Sequence, residues 1–126
     1  MPLTVIDGPT IAANESLSDG VDCSAGMIVR ITVPQEYDNG DIDKMSFQVS
    51  SDGTLYNDLF DDEGKEITII AHPNSGIVID RAWARTVGWI KLRSGTRDRP
   101  SKQKADCKLA IAISTDEAPA ADATRR

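Results

Sequence analysis

Acid–base, nucleophilic and metal chemistry in a small chain run through histidine, cysteine and paired carboxylates, and here each of these is scarce or scattered. The only histidine is His72, followed by Pro73 in a stretch that reads as a turn. A Ser–His or Cys–His nucleophile needs a base within hydrogen-bond reach, and one turn histidine is thin support for that, so His72 reads as a surface residue at a strand end. Two cysteines, Cys23 and Cys107, lie far apart in the chain. With a single histidine they fall short of the roughly four N/S ligands of a zinc site. Carboxylates gather twice, at Asp38-Asn39-Gly40-Asp41-Ile42-Asp43 and from Asp58 to Glu63. The first run has the alternating oxygens of a calcium loop, but Gly40 takes the third position and the distal glutamate is out of register. The second would have to flank a sugar across a cleft to act as a glycosidase pair, which adjacent turn residues rarely do. Both read as solvated turns. Phosphate-cradling glycine motifs are absent. The residues predict no catalytic group, no cofactor and no metal, and hence a protein that binds rather than an enzyme.

The cysteines and tryptophans say more. Cys23 and Cys107 fall in the inward phase of their expected strands, toward opposite ends of the chain, and the first and last strands of a sandwich are often neighbours. An internal disulfide would stabilise by about 4 to 5 kcal/mol on the chain-entropy view. Two buried thiols acting as small hydrophobes and an intermolecular bridge stay open beside it, with oxidation favoured if the protein ends up outside the cell. Trp83 and Trp89 sit close together in a chain with 5% aromatics. Trp89, Lys91 and Arg93 share the face opposite Ile90 and Leu92. An outward Trp89 suits a carbohydrate platform, a subunit interface or a cap over a sheet edge. Trp83, Trp89, Lys91 and Arg93 are therefore the candidate interface residues.

The elements that must position these groups are strands. Met27 to Val33 is β-branched, with Met27, Val29, Ile31 and Val33 on one face and Pro34 ending it. Lys44 to Ser50 alternates strictly, sending Met45, Phe47 and Val49 inward. Asp52-Gly53 predicts a tight hairpin turn into a strand over Thr54 to Phe60. Glu66 to Ile70, Gly76 to Asp80, Gly88 to Arg93 and Cys107 to Ile113 follow, with a single helical turn over Arg81 to Thr86. On the last strand Cys107, Leu109, Ile111 and Ile113 point inward, and Ala110 and Ala112 leave the other face open to close approach. Leu3 to Ile6 and Ser16 to Cys23 are weaker strands. Short strands with turns at regular intervals predict an all-β fold, an antiparallel β-sandwich of which a jelly roll is one form. The domain is expected over residues 1–114, with a flexible Ala/Asp/Pro-rich tail over 115–126.

Length and charge narrow the partners. A chain of 126 residues, 40% of them hydrophobic, fits one domain. It has no apolar run of the about 18 residues that span a bilayer, so no membrane is expected. The start Met1-Pro2-Leu3-Thr4 lacks the features of a secretory signal, which predicts synthesis in the cytoplasm. A net charge of −6 opposes binding to a phosphate backbone. The local basic run Arg93 to Lys104 lacks interleaved aromatics and reads as a solvated loop or a contact for an acidic protein; no nucleic acid is expected.

Three segments in order, Phe47 to Thr54 (with Ser50-Ser51-Asp52-Gly53), Leu59-Phe60-Asp61-Asp62-Glu63-Gly64 and Trp89 to Thr96 (with Ile90-Lys91-Leu92-Arg93-Ser94-Gly95-Thr96), together with Ile11 to Asp22 and Pro100 to Asp106, resemble a family of small virion proteins of tailed bacteriophages and related gene-transfer particles. The resemblance covers most of the chain, and its specificity lies in the order and spacing of the three segments rather than in any one of them. It implies a non-enzymatic β-sandwich on the outside of a virion: a capsid decoration (cement) or head-spike base protein, with a tail or baseplate appendage as the alternative; the S-x-D-G stretch also resembles carbohydrate-binding sandwiches of the discoidin sort, which keeps a host-attachment carbohydrate module as a further alternative by analogy. It further implies the major capsid protein or another virion protein as partner, and a homo-oligomer, a trimer first because capsid lattices offer threefold sites. Cys23 and Cys107 depart from the family's pattern, where the first looks like a leucine site and the second a polar one. An added covalent staple, within or between subunits, is thus a specific expectation for this chain.

Overall fold

The computed structural model describes residues 2–115; the segment read as a tail lies, from residue 116 onward, outside the described residues. The described residues form nine strands and one 3₁₀ turn: β1 Leu3–Ile11, β2 Val21–Asp22, β3 Met27–Val33, β4 Lys44–Ser50, β5 Asn57–Asp58, β6 Thr68–Ile70, β7 Ser75–Val78, the turn Ala82–Arg85, β8 Trp89–Ser94 and β9 Cys107–Ser114. They form two antiparallel sheets. One has the order β1-β9-β3-β7; the other has β2-β8-β4, with β5 and β6 sharing the far flank of β4. The domain is all-β, and the buried side chains of both sheets form one apolar cluster around Phe47, Ile31, Leu92 and Ile111. No helix among the described residues is long and apolar enough to cross a membrane.

Local sequence explains most of these elements. β4 sends Met45 and Phe47 fully into the core, but Ser46 and Ser50 on its other face are buried as well, so both faces of the strand are covered. β9 sends Cys107, Leu109, Ile111 and Ile113 into the core and leaves Lys108 exposed. On β3 the phase differs from the simple alternation. Ile28 pairs with Ile113 and Arg30 with the adjacent Ala112, so Val29 is an extra residue in the ladder. This bulge turns Ile28, Ile31 and Val33 inward instead of Met27 and Val29. β1, expected over Leu3 to Ile6, runs on through Gly8-Pro9 to Ile11. It does so as an edge strand with a register shift between Asp7 and Thr10, where a missing N–H costs the ladder little.

The segment 54–60 is mostly loop rather than strand. β4 does pair with its sequence neighbour, through Gln48 with Asp58 and Val49 with Asn57, but Asp52 replaces the tight hairpin with a wider turn held by its carboxylate. One carboxylate oxygen, Oδ1, accepts the N–H of Thr54 and of Leu55 and the Ser50 hydroxyl.

The expected disulfide does not form: Cys23 and Cys107 are both free and buried. β1 and β9 are indeed neighbours, but Cys23 is not on the first strand. It lies in the turn between β2 and β3, whose Gly26 abuts the Ser114 carbonyl. Cys107 opens β9 opposite Ile11, an eight-residue strand away. That is roughly 23 Å at an extended rise, far beyond the about 7 Å a bridge tolerates between Cα atoms.

Candidate functional site

The outer face of the β2-β8-β4 sheet collects the charged and aromatic residues singled out above, and most of them are engaged within the chain. Alternation along β8 puts Trp89, Lys91 and Arg93 on this face, with Ile90 and Leu92 fully buried on the other. Arg93 is nevertheless covered, its side chain only 8% exposed. Residues distant in sequence fold over it. Its Nη1 and Nη2 both donate to Asp58 Oδ1 at 2.8 Å, Nη2 reaches Glu66 Oε2 at 3.3 Å, and Nε donates to Ser46 Oγ at 3.0 Å. Ser46 Oγ passes its own proton to the Gly95 carbonyl at 2.8 Å. Arg97 closes the network from outside, with Nε 3.2 Å from Asp58 Oδ2 and its backbone N–H on Glu66 Oε2 at 2.9 Å. Two guanidiniums thus face two carboxylates, Arg93 from within and the 57% exposed Arg97 from outside. Asp58 and Glu66 are thereby tied to the two arginines.

The aromatic residues lie on either side of the sheet. Trp83, on the 3₁₀ turn, packs against Phe47 with ring centroids 4.9 Å apart. Trp89 lies on the outer face beneath the turn after β4. Gly53 there adopts φ +81°, and a Cβ on it would stand 2.8 Å from Trp89 Cε2. The turn backbone thus covers one face of the indole. Lys91 sits 4.5 Å above the Tyr56 ring, and Tyr56 in turn fills the space that a side chain at Gly20 would need.

The segments that carry the virion-protein resemblance therefore serve the scaffold. In Ser50-Ser51-Asp52-Gly53, Ser50 Oγ accepts the N–H of Asp52 and of Gly53, and Asp52 holds the next two. In Leu59 to Gly64, Asp61 Oδ1 accepts the N–H of Glu63 and of Lys65 at 2.9 Å. These hydrogen bonds hold the carboxyls of Asp52 and Asp61 below the usual carboxylate range, as a Ser24 contact does for Asp22. In Ile90 to Thr96, Arg93 centres the ion network and Gly95 (φ +89°) closes against the Arg99 carbonyl.

The first carboxylate run divides in the same way. The backbone of Asp38 is clamped by the buried Gln103, whose Oε1 accepts the Asp38 N–H at 2.8 Å and whose Nε2 donates to the Asp38 carbonyl at 2.7 Å. Gln103 also ties down the loop after β1, accepting from Asn14 N and donating to the Glu15 carbonyl. Nothing in the local pattern marks Gln103 except that it is the uncharged member of the Lys-Gln-Lys stretch. Asp43 faces His72, Nε2 to Oδ2 at 3.6 Å. Among the described residues no three His, Cys, Asp or Glu side chains are grouped to hold a metal ion.

Burial pushes the Cys23 thiol up to about 12 and the Cys107 thiol up to about 11, with Asp22 and Glu36 adding to the effect. Both are inert hydrophobes at neutral pH. The Tyr37 phenol, also raised by burial, ends without a hydrogen-bond partner.

What stays open is the opposite flank. A groove of about 1020 Å³ runs between β6 and β7, an edge strand of each sheet, lined by apolar Phe60, Ile70, Val78 and Trp83 and rimmed by charged residues such as Glu66 and Arg81. Ile70 is 52% and Val78 77% exposed. Ala71 N–H bonds inward to Asp43 and Ile79 N–H inward to Val29. Antiparallel hydrogen bonding alternates, so the neighbouring Ile70 and Val78 turn their own N–H and C=O to the free edges.

No protein-family model matches the chain, and no curated protein matches it either.

Proposed function

We propose that this protein is a non-enzymatic structural component of a bacteriophage virion, a capsid decoration or head-spike base protein. On this reading its two sheets close as an antiparallel β-sandwich, and it docks on the major capsid protein or another virion subunit as a homo-oligomer, a trimer first. It would be made in the host cytoplasm and kept in the particle. The observation that carries the proposal is the pair of uncharged edges beside the groove. Sheet edges are commonly protected by lysine, proline or a bulge. β1 has its Gly8-Pro9 irregularity. β6 (Thr68, Ile69, Ile70) and β7 (Ser75 to Val78) carry no charge and no proline, and they flank exposed Ile70, Val78 and Phe60. Free backbone beside apolar side chains is the surface of a subunit that pairs with a neighbour. The ordered segments of the resemblance support the virion setting, and their scaffold roles agree with a protein that carries no catalytic centre.

Quantitative mass spectrometry of gradient-purified particles tests this. A fixed ratio to the major capsid protein is expected, and absence of the chain from the particles would overturn the proposal. Light scattering on the free protein reads its oligomeric state.

A further inference from the structure

The loop between β3 and β4 brings together an Asn-Gly pair and two groups suited to act on it. We propose that Asn39-Gly40 is a self-modifying site, at which the loop catalyses deamidation of its own asparagine. Asparagine is chemically labile, and a following glycine leaves the attacking amide unhindered. The geometry adds assistance at both ends of the reaction. Gly40 N–H donates to Asp38 Oδ1 at 2.9 Å, so a carboxylate already holds the proton that the nucleophilic nitrogen must lose. The Asn39 amide nitrogen, the leaving group, lies 3.4 Å from His72 Nδ1, and His72 Nε2 faces Asp43 Oδ2 at 3.6 Å. The clamp of Gln103 on the Asp38 backbone fixes one end of this arrangement, and Lys104 sits 3.5 Å from Asp38 Oδ2.

In the reaction the Gly40 nitrogen attacks Asn39 Cγ and gives its proton to Asp38. The new Cγ–N bond closes a five-membered succinimide. The Cγ–Nδ2 bond breaks, and Nδ2, held beside His72 Nδ1, departs as ammonia with the proton that Asp38 took up. Water then opens the ring at either carbonyl, leaving an aspartyl or isoaspartyl residue at position 39. The net change is amide plus water to carboxylate plus ammonium, with no oxidant or cofactor. One negative charge is added beside Asp38, Asp41 and Asp43 in a chain of net charge −6. The isoaspartyl product also lengthens the backbone of the loop. The site would act as an intrinsic clock for the age of the folded protein.

The test is the conversion rate at position 39 in the native chain, followed at neutral pH by peptide mapping with isoaspartate detection. It is compared with a free peptide spanning Tyr37 to Asp43. Positioned acid–base groups are commonly worth about 10²-fold or more, and this solvent-exposed set is expected to make the native chain at least about ten-fold faster than the peptide. His72→Gln and Asp43→Asn, both at exposed positions, are expected to bring the rate back toward the peptide value without changing the circular dichroism or the melting temperature. A native rate no faster than the peptide's, or a His72→Gln rate equal to the parent's, would overturn the proposal.

Discussion

Arg93 places both terminal guanidinium nitrogens 2.8 Å from the same oxygen of Asp58, on the outer face of a sheet where alternation alone would leave arginine in water. Removing one partner of a buried pair strands the other charge, at a cost of about 3 kcal/mol or more. Arg93→Ala is expected to lower stability by that amount in urea denaturation. Arg97→Ala, which removes only the exposed outer member, should cost no more than about 1 kcal/mol. Equal losses in the two variants would mean that the network is an ordinary surface cluster.

Gly53 combines a left-handed backbone with an indole 2.8 Å from where a Cβ would stand. Gly53→Ala should destabilise by about 1 to 2 kcal/mol from the backbone alone. It should also displace Trp89, read as a shift in tryptophan emission. Unchanged emission would place the Trp89 ring away from the turn.

Strand positions were largely legible in the sequence, and the departures have local causes. β3 and β4 fall where β-branching and alternation place them. Alternation assumes an unbroken ladder, however, and the extra residue Val29 reverses the phase of β3 upstream of it. The start of β1 at Leu3 to Ile6 was legible but its run on to Ile11 was not, because Gly8-Pro9 signals a turn in isolation and is harmless on a sheet edge. Asp52-Gly53 promised a two-residue hairpin, and the Asp52 carboxylate built a wider one. The outward phase of Arg93 was readable from β8. Its burial was not, because the residues that cover it come from positions 58, 66 and 97. Cys23 and Cys107 were rightly placed inward, but phase carries no distance, and the length of β9 lies between them.

Both thiols should be unreactive in the native protein and reactive once it unfolds. A thiol-specific chromogenic reagent is expected to react slowly without denaturant and to titrate both cysteines in its presence, with identical mobility on reducing and non-reducing gels. Burial raises both thiol values above 9, so the stabilisation from keeping them neutral is complete below pH 9. It is lost as pH rises toward about 11 for Cys107 and about 12 for Cys23. A slower-migrating species on non-reducing gels would reveal a bridge between subunits.

Acid should act through the turn carboxylates. Asp22, Asp38, Asp52 and Asp61 are all held below the model-peptide value of 3.8 by hydrogen bonds to their ionised forms. Their contribution is therefore present above that value and lost as pH falls below it through the lower folded values. The melting temperature is expected to stay level from neutral pH down to about pH 5 and to drop below pH 3.8. Asp52→Asn should flatten part of that drop. A decline beginning near neutrality would implicate other groups.

The central claim is that the chain serves a virion through the flank between β6 and β7. A cryo-EM map of the intact particle tests it most directly. The account predicts density for this two-sheet domain on the outer capsid surface, with the Ile70 and Val78 edges covered by a neighbouring subunit. A particle map in which every external density is assigned to other chains would contradict it.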